Sequence, residues 1–116
     1  MNIETFLKSL KDHPETVEFN DLISVIDNHY DFTPTQFSNG ELVNKAGENE
    51  GSCKLFSFAD LYQLTQEQTL ACFGAYYRDD VLQYPDADNH QNIRNFMKTA
   101  WAGIRFEGDA LSEKPS

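Results

Sequence analysis

Ile3, Phe6, Leu7 and Leu10 stand at i, i+3, i+4 and i+7, and the chain returns to that helical spacing in four later stretches. The second runs through Phe19, Leu22, Ile23, Ile26 and Tyr30, and the third through Leu55, Phe58, Ala59 and Tyr62. Leu70, Phe73, Tyr77 and Val81 make the fourth; Ile93, Phe96, Met97, Ala100 and Trp101 make the fifth. Each helix buries one apolar stripe, and stripes of this length are stable only when packed on one another. The pattern therefore predicts a mainly α (α+β) chain: a compact bundle of about five short helices. With 116 residues and nine Phe, one core can be filled without disulfides or metals.

Local signals set the boundaries. Pro14 stops the first helix. Ser52 is a candidate cap for a third helix from Cys53 to about Leu64, and Phe56, off its apolar face, implies burial on two sides. Thr65-Gln66-Glu67-Gln68 has capping-box spacing, as does the segment opening the fifth helix, Asp88-Asn89-His90-Gln91. Tyr84-Pro85 ends the fourth helix and Gly103 the fifth. Gly74 lies on the stripe of the fourth helix, where glycine costs ~1 kcal/mol against alanine, so a second backbone is expected to approach it closely.

Residues 32–45 break the helical pattern. Phe32 to Phe37 is β-rich, Ser38-Asn39-Gly40 reads as a turn, and Glu41-Leu42-Val43 follows, which predicts a small β-hairpin or extended segment. Pro34 confines its strand to an edge. Ile104-Arg105-Phe106 alternates and reads as a short extended segment packing back. Residues 111–116 read as a flexible tail.

The formal charge of −10 argues against nucleic acid and against an anionic membrane surface as partners. Most of the acidity lies in residues 1–50, with ten acids against three lysines. No apolar run approaches the ~18 residues of a membrane span, and Met-Asn-Ile-Glu-Thr-Phe has neither a basic n-region nor an apolar h-region, so no secretory signal is expected. Cys53 and Cys72 read as reduced core thiols.

Long strings of the chain look familiar: Ser52-Cys53-Lys54-Leu55-Phe56-Ser57-Phe58-Ala59, Leu64 through Arg78, and His90 through Phe106. Pro14 through Phe19 and Tyr30 through Pro34 add to them. Together they resemble the HopJ type III effector family over about residues 3–110. The resemblance implies a small single-domain bacterial protein, residues 1–110, from a family named for a protein held to be injected into host cells by a plant pathogen. It carries over no catalytic residue. Injected effectors tend to begin with a serine-rich, acid-poor segment, whereas Glu4 and Asp12 fall within the first dozen residues here and residues 3–10 read as a packed amphipathic helix, so the expected location is the cytoplasm.

No chemical motif is complete. His13, His29 and His90 are too far apart for a metal set, and phosphate loops and cofactor motifs are absent. Cys53 or Cys72 with His90, oriented by Asn92 or Asn95, would supply the residue types of a cysteine-dependent hydrolase or transferase without a local signature. The most specific candidate is on the fifth helix. His90, Arg94 and Lys98 follow at i, i+4 and i+8, with Trp101 at the border of that stripe, and Tyr77 and Arg78 of the fourth helix can join them. That face suits a protein or a small anionic ligand, and the competing account pairs Arg94 and Lys98 with acids of the same chain. The functional expectation is a non-enzymatic binding module. A cysteine-dependent enzyme and an acidic chaperone-like adaptor of secretion substrates are the alternatives.

Overall fold

Helix α1 (Ile3–Asp12) starts where the side chain of Asn2 accepts a hydrogen bond from the Thr5 amide at 2.7 Å, and it buries Phe6 and Leu10. The computed structural model describes residues 2–115. A single 3-10 turn, Pro14–Thr16, leads into α2 (Phe19–His29), whose Leu22, Val25 and Ile26 face the same core. All five expected helices are present.

Helix α3 (Glu50–Leu61) is the central element. Cys53 and the run Leu55 to Ala59 are all buried, which confirms the two-sided burial expected of Phe56. The Phe56 ring packs on Phe96 at 5.0 Å, Phe73 at 5.6 Å, Phe37 at 6.0 Å and Trp101 at 6.4 Å between centroids. A ring so enclosed contributes on the order of 3 kcal/mol in transfer from water. The helix starts three residues before the position that Ser52 as a cap would set. Asn49, in the left-handed region at φ 50°, is its N-cap.

Helix α4 (Gln66–Ala71) opens with the expected capping box: the Thr65 side chain accepts from the Gln68 amide, and the Gln68 side chain accepts from the Thr65 amide. It is much shorter than the stripe from Leu70 to Val81 implies. Gly74 takes φ 62° and breaks the helix, and a Cβ there would lie 2.9 Å from the Phe19 nitrogen and 3.1 Å from the Val17 carbonyl oxygen. The close backbone approach is present, and the positive φ is its local consequence. One stretch of π-helix, Tyr76–Val81, continues the chain. Helix α5 (Gln91–Thr99) follows, and a 3-10 turn, Ala100–Gly103, completes it.

Strands β1 (Tyr30–Phe32), β2 (Phe37–Asn39), β3 (Leu42–Asn44), β4 (Ile104–Phe106) and β5 (Leu111–Glu113) form two small antiparallel sheets. The hairpin of β2 and β3 is where the sequence puts it, but its two-residue turn is Gly40-Glu41, with Gly40 at φ 63°, and Asn39 belongs to the strand. Strand β4 packs back on β2, with Phe37 opposite Phe106. Two readings need correction. Pro34 lies in the loop between β1 and β2, outside any strand. Residues 111–113, read as part of a flexible tail, pair with β1, Phe32 opposite Leu111, because Ala110 and Leu111 are apolar enough to be buried. Among the described residues no helix is long and apolar enough to cross a membrane.

Candidate functional site

Two helix N-termini open onto one cleft of about 660 Å³. Asn49, Gly51 and Ser52 bring the start of α3 to it, and His90, Gln91 and Asn92 bring the start of α5. Both N-caps, Asn49 at φ 50° and His90 at φ 53°, are left-handed, and neither side chain caps its own helix. The first amides of a helix have no intrahelical acceptor, so each end presents free N–H groups and about half a positive charge.

Four asparagines hold this arrangement. The Asn39 amide donates to the Asn92 carbonyl at 2.7 Å and to Asn92 Oδ1 at 3.1 Å. Asn44 Nδ2 also donates to Asn92 Oδ1, and Asn92 Nδ2 donates back to Asn44 Oδ1 at 3.0 Å. Asn49 Nδ2 completes the set on Asn44 Oδ1 at 2.6 Å. The hairpin is thereby tied to both helix starts. Asn39, Asn44 and Asn92 are buried, and the side chain of Asn49, which should serve as a cap, is spent on this network.

One wall is aromatic. Phe73 stacks on Phe19 at 6.1 Å, Phe19 meets the edge of Tyr76 at 5.5 Å, and Tyr76 lies 5.4 Å from the His90 ring. His90 Nε2 is 3.1 Å from Asp80 Oδ2, which fixes the ring. The chain has nineteen Asp and Glu, yet none of them lines this cleft. The Asp80 carboxylate borders it through its contact with His90 Nε2.

The six residues singled out by spacing do not form one face. His90 alone is in the cleft. Arg94 is 8% exposed, and its guanidinium donates to the Asn89 carbonyl at 2.6 Å, to Asn89 Oδ1 at 2.9 Å and to the Pro85 carbonyl at 3.1 Å. Its hydrogen-bond partners are neutral oxygens of the adjoining loop, not acids of residues 1–50. Lys98 is exposed and shares a separate groove with Arg94 and Pro85. Trp101 donates from Nε1 to the Leu64 carbonyl at 2.9 Å and packs edge-on against Phe96. Tyr77 is half-buried against the core, and Arg78 donates to the Val17 carbonyl at 3.0 Å, holding the entry to α2. The stripe fails at its first member: the helix begins at Gln91, so left-handed His90 departs from the direction that Arg94 and Lys98 follow.

The cysteine arrangement is not assembled. Cys53 and Cys72 are buried, His90 is bonded to Asp80, and the polar partner of Cys53 is the Thr35 carbonyl at 3.5 Å. Burial pushes the Cys72 thiol up to about 12 and raises that of Cys53 as well. Nucleophilic thiols require the opposite shift. No group of three His, Cys, Asp or Glu among the described residues is placed to hold a metal ion.

The asparagine network is the part of the site that spacing did not reveal. Asn-Gly at 39–40 signals a turn, and nothing local says that Asn39 turns inward to meet a helix 53 residues away.

The family model for the HopJ type III effector protein matches residues 3–111. A crystal structure described as the unknown-function protein VPA0580 is 53% identical, with a TM-score of 0.96 over 98% of this chain and 95% of that one. No curated protein is similar enough to this chain to count as a match.

Proposed function

Because the chain belongs to the HopJ type III effector protein family, and the matched residues 3–111 include the whole cleft between α3 and α5, we propose that it is a binding module for a small anionic ligand. Two helix N-termini without side-chain caps, converging on a cleft lined by no carboxylate, carry this reading. The free amides at 50–52 and 91–92 would donate to the anionic group, and the aromatic wall of Phe19, Tyr76 and His90 would cover the body of the ligand. Neither requires catalysis.

Each helix end contributes ~0.3–1 kcal/mol toward an anion at a partly exposed site, so an anion lacking the rest of the ligand is expected to bind only weakly, with a Kd of roughly tens to hundreds of millimolar. The test is an amide NMR titration with inorganic phosphate, run against sodium chloride at matched ionic strength. Saturable shifts confined to residues 50–52 and 90–93 support the reading. Shifts no larger with phosphate than with chloride would remove it.

A further inference from the structure

A second cleft, of about 490 Å³, shares no lining residue with the first and has the opposite electrostatic character. Asp60 of α3, and Glu107 and Asp109 of the loop between β4 and β5, supply three carboxylates. Trp101 and Ile104 supply apolar surface in the same cleft. None of these carboxylates is neutralised: the ion pairs among the described residues are His13–Glu15, Lys54–Asp27, Arg78–Glu18 and His90–Asp80.

Acids on a surface are commonplace, and alone they identify nothing. The second observation is Ser57. It lines the same cleft, it is 8% exposed, and its Oγ has no hydrogen-bond partner. Even with its hydrogen turned toward the neighbouring Cys53 sulfur, the oxygen keeps two lone pairs and receives no donor. A buried polar atom left in this state is costly, and a donor entering the cleft would recover that cost.

We infer that this cleft is a site for an aliphatic polyamine, with one ammonium donating to Ser57 and the others to Asp60, Glu107 and Asp109. A metal ion fits poorly, since no three ligating side chains among the described residues lie close enough to hold one. Separated carboxylates sharing one cleft with the apolar surface of Trp101 and Ile104 match separated ammonium groups joined by methylenes. The indole face adds attraction for a cation.

Trp101 is the only tryptophan, so its fluorescence reports directly on this cleft. Spermidine and putrescine should give a saturable change, while butanediol, which has the methylenes without the charge, and magnesium ion, which has the charge without the methylenes, should not. Ser57→Ala removes a hydroxyl whose one neighbouring partner is the Cys53 sulfur, so the fold is expected to persist, verified by its thermal melt, while the Kd for spermidine rises roughly tenfold. Asp60→Asn combined with Asp109→Asn, both at exposed positions, should abolish the signal. An equal response to magnesium ion, or wild-type affinity in Ser57→Ala, would overturn the assignment.

Discussion

The side-chain amide of Asn39 donates to both the backbone carbonyl and the Oδ1 of Asn92, at 2.7 and 3.1 Å, joining a hairpin strand to the first turn of a helix 53 residues later. Asn39 and Asn92 are shielded from water, so these bonds act in a medium where an unmade one is expensive. The contact fixes where the N-terminus of α5 stands relative to that of α3, and the geometry of the proposed anion cleft rests on it.

Asn92→Ala tests this. It leaves the amides of Asn39 and Asn44 without their side-chain acceptor in a buried setting, at ~1–3 kcal/mol for each group left unsatisfied. We expect a loss of about 2–4 kcal/mol in urea unfolding with an unchanged m-value, since the denatured chain is little altered. A loss below ~0.5 kcal/mol would mean that the network has little structural weight.

Gly74→Ala is expected to be among the most damaging single changes. The residue holds φ 62°, and its new Cβ would meet the Phe19 nitrogen at 2.9 Å. Gly47→Ala is the control, because Gly47 also has a positive φ, 91°, but nothing lies within 4 Å of the added atom. The control should lose ~1–2 kcal/mol from backbone strain alone. Gly74→Ala should lose at least ~1–3 kcal/mol more, since the clash is with backbone that cannot rotate away. Equal urea midpoints for the two variants would contradict the close approach.

These residues also mark how far the sequence can be read. The stripe of Phe6 and Leu10, the Thr65–Gln68 capping box and the hairpin near Gly40 are local, decided within a few residues, and the structure has all three. Gly74 signalled its neighbour but not its dihedral angle, because the approach of Val17 and Phe19 is tertiary. The pairing of β5 with β1 was hidden for the same reason, since three residues in a polar tail become a strand only where Tyr30–Phe32 offers an edge. The site was the least legible part. Its asparagines are residues of turns and caps by local preference, and their inward orientation is set by partners far along the chain.

The buried thiols make stability depend on alkaline pH. Cys72 titrates near 9.0 in an unfolded chain and at about 12 when folded, because burial disfavours the thiolate. A raised folded value means that the native state retains a proton which the unfolded state has lost. The contribution is therefore fully present below pH 9.0 and declines as the pH climbs toward about 12, by up to ~1.4 kcal/mol per pH unit. Cys53, and Tyr30 where its phenol is bonded to Tyr62, shift in the same direction. Urea midpoints should hold steady from pH 7 to 8.5 and fall by pH 10, with a shallower fall in Cys72→Ala. Iodoacetamide at pH 7.5 should leave both thiols unmodified until urea is added, and rapid labelling of the folded protein would restore the cysteine-dependent reading.

Arg94→Lys separates the structural role of this residue from a role in binding. Its guanidinium spans the Asn89 carbonyl, Asn89 Oδ1 and the Pro85 carbonyl, three oxygens that a single ammonium on a flexible stem cannot reach together. The side chain is buried, so the lost bonds are not replaced by water at full value. We expect about 2–3 kcal/mol of destabilisation although the charge is retained, and faster amide exchange in residues 86–91, where the loop enters α5. Lys98→Ala, one turn further along the helix and exposed, should change stability by no more than ~0.5 kcal/mol. His90 follows Asn89 directly, so loosening this clamp should also weaken the phosphate response of the cleft. If Arg94 instead served an external partner, Arg94→Lys would unfold at the wild-type urea concentration with unchanged exchange.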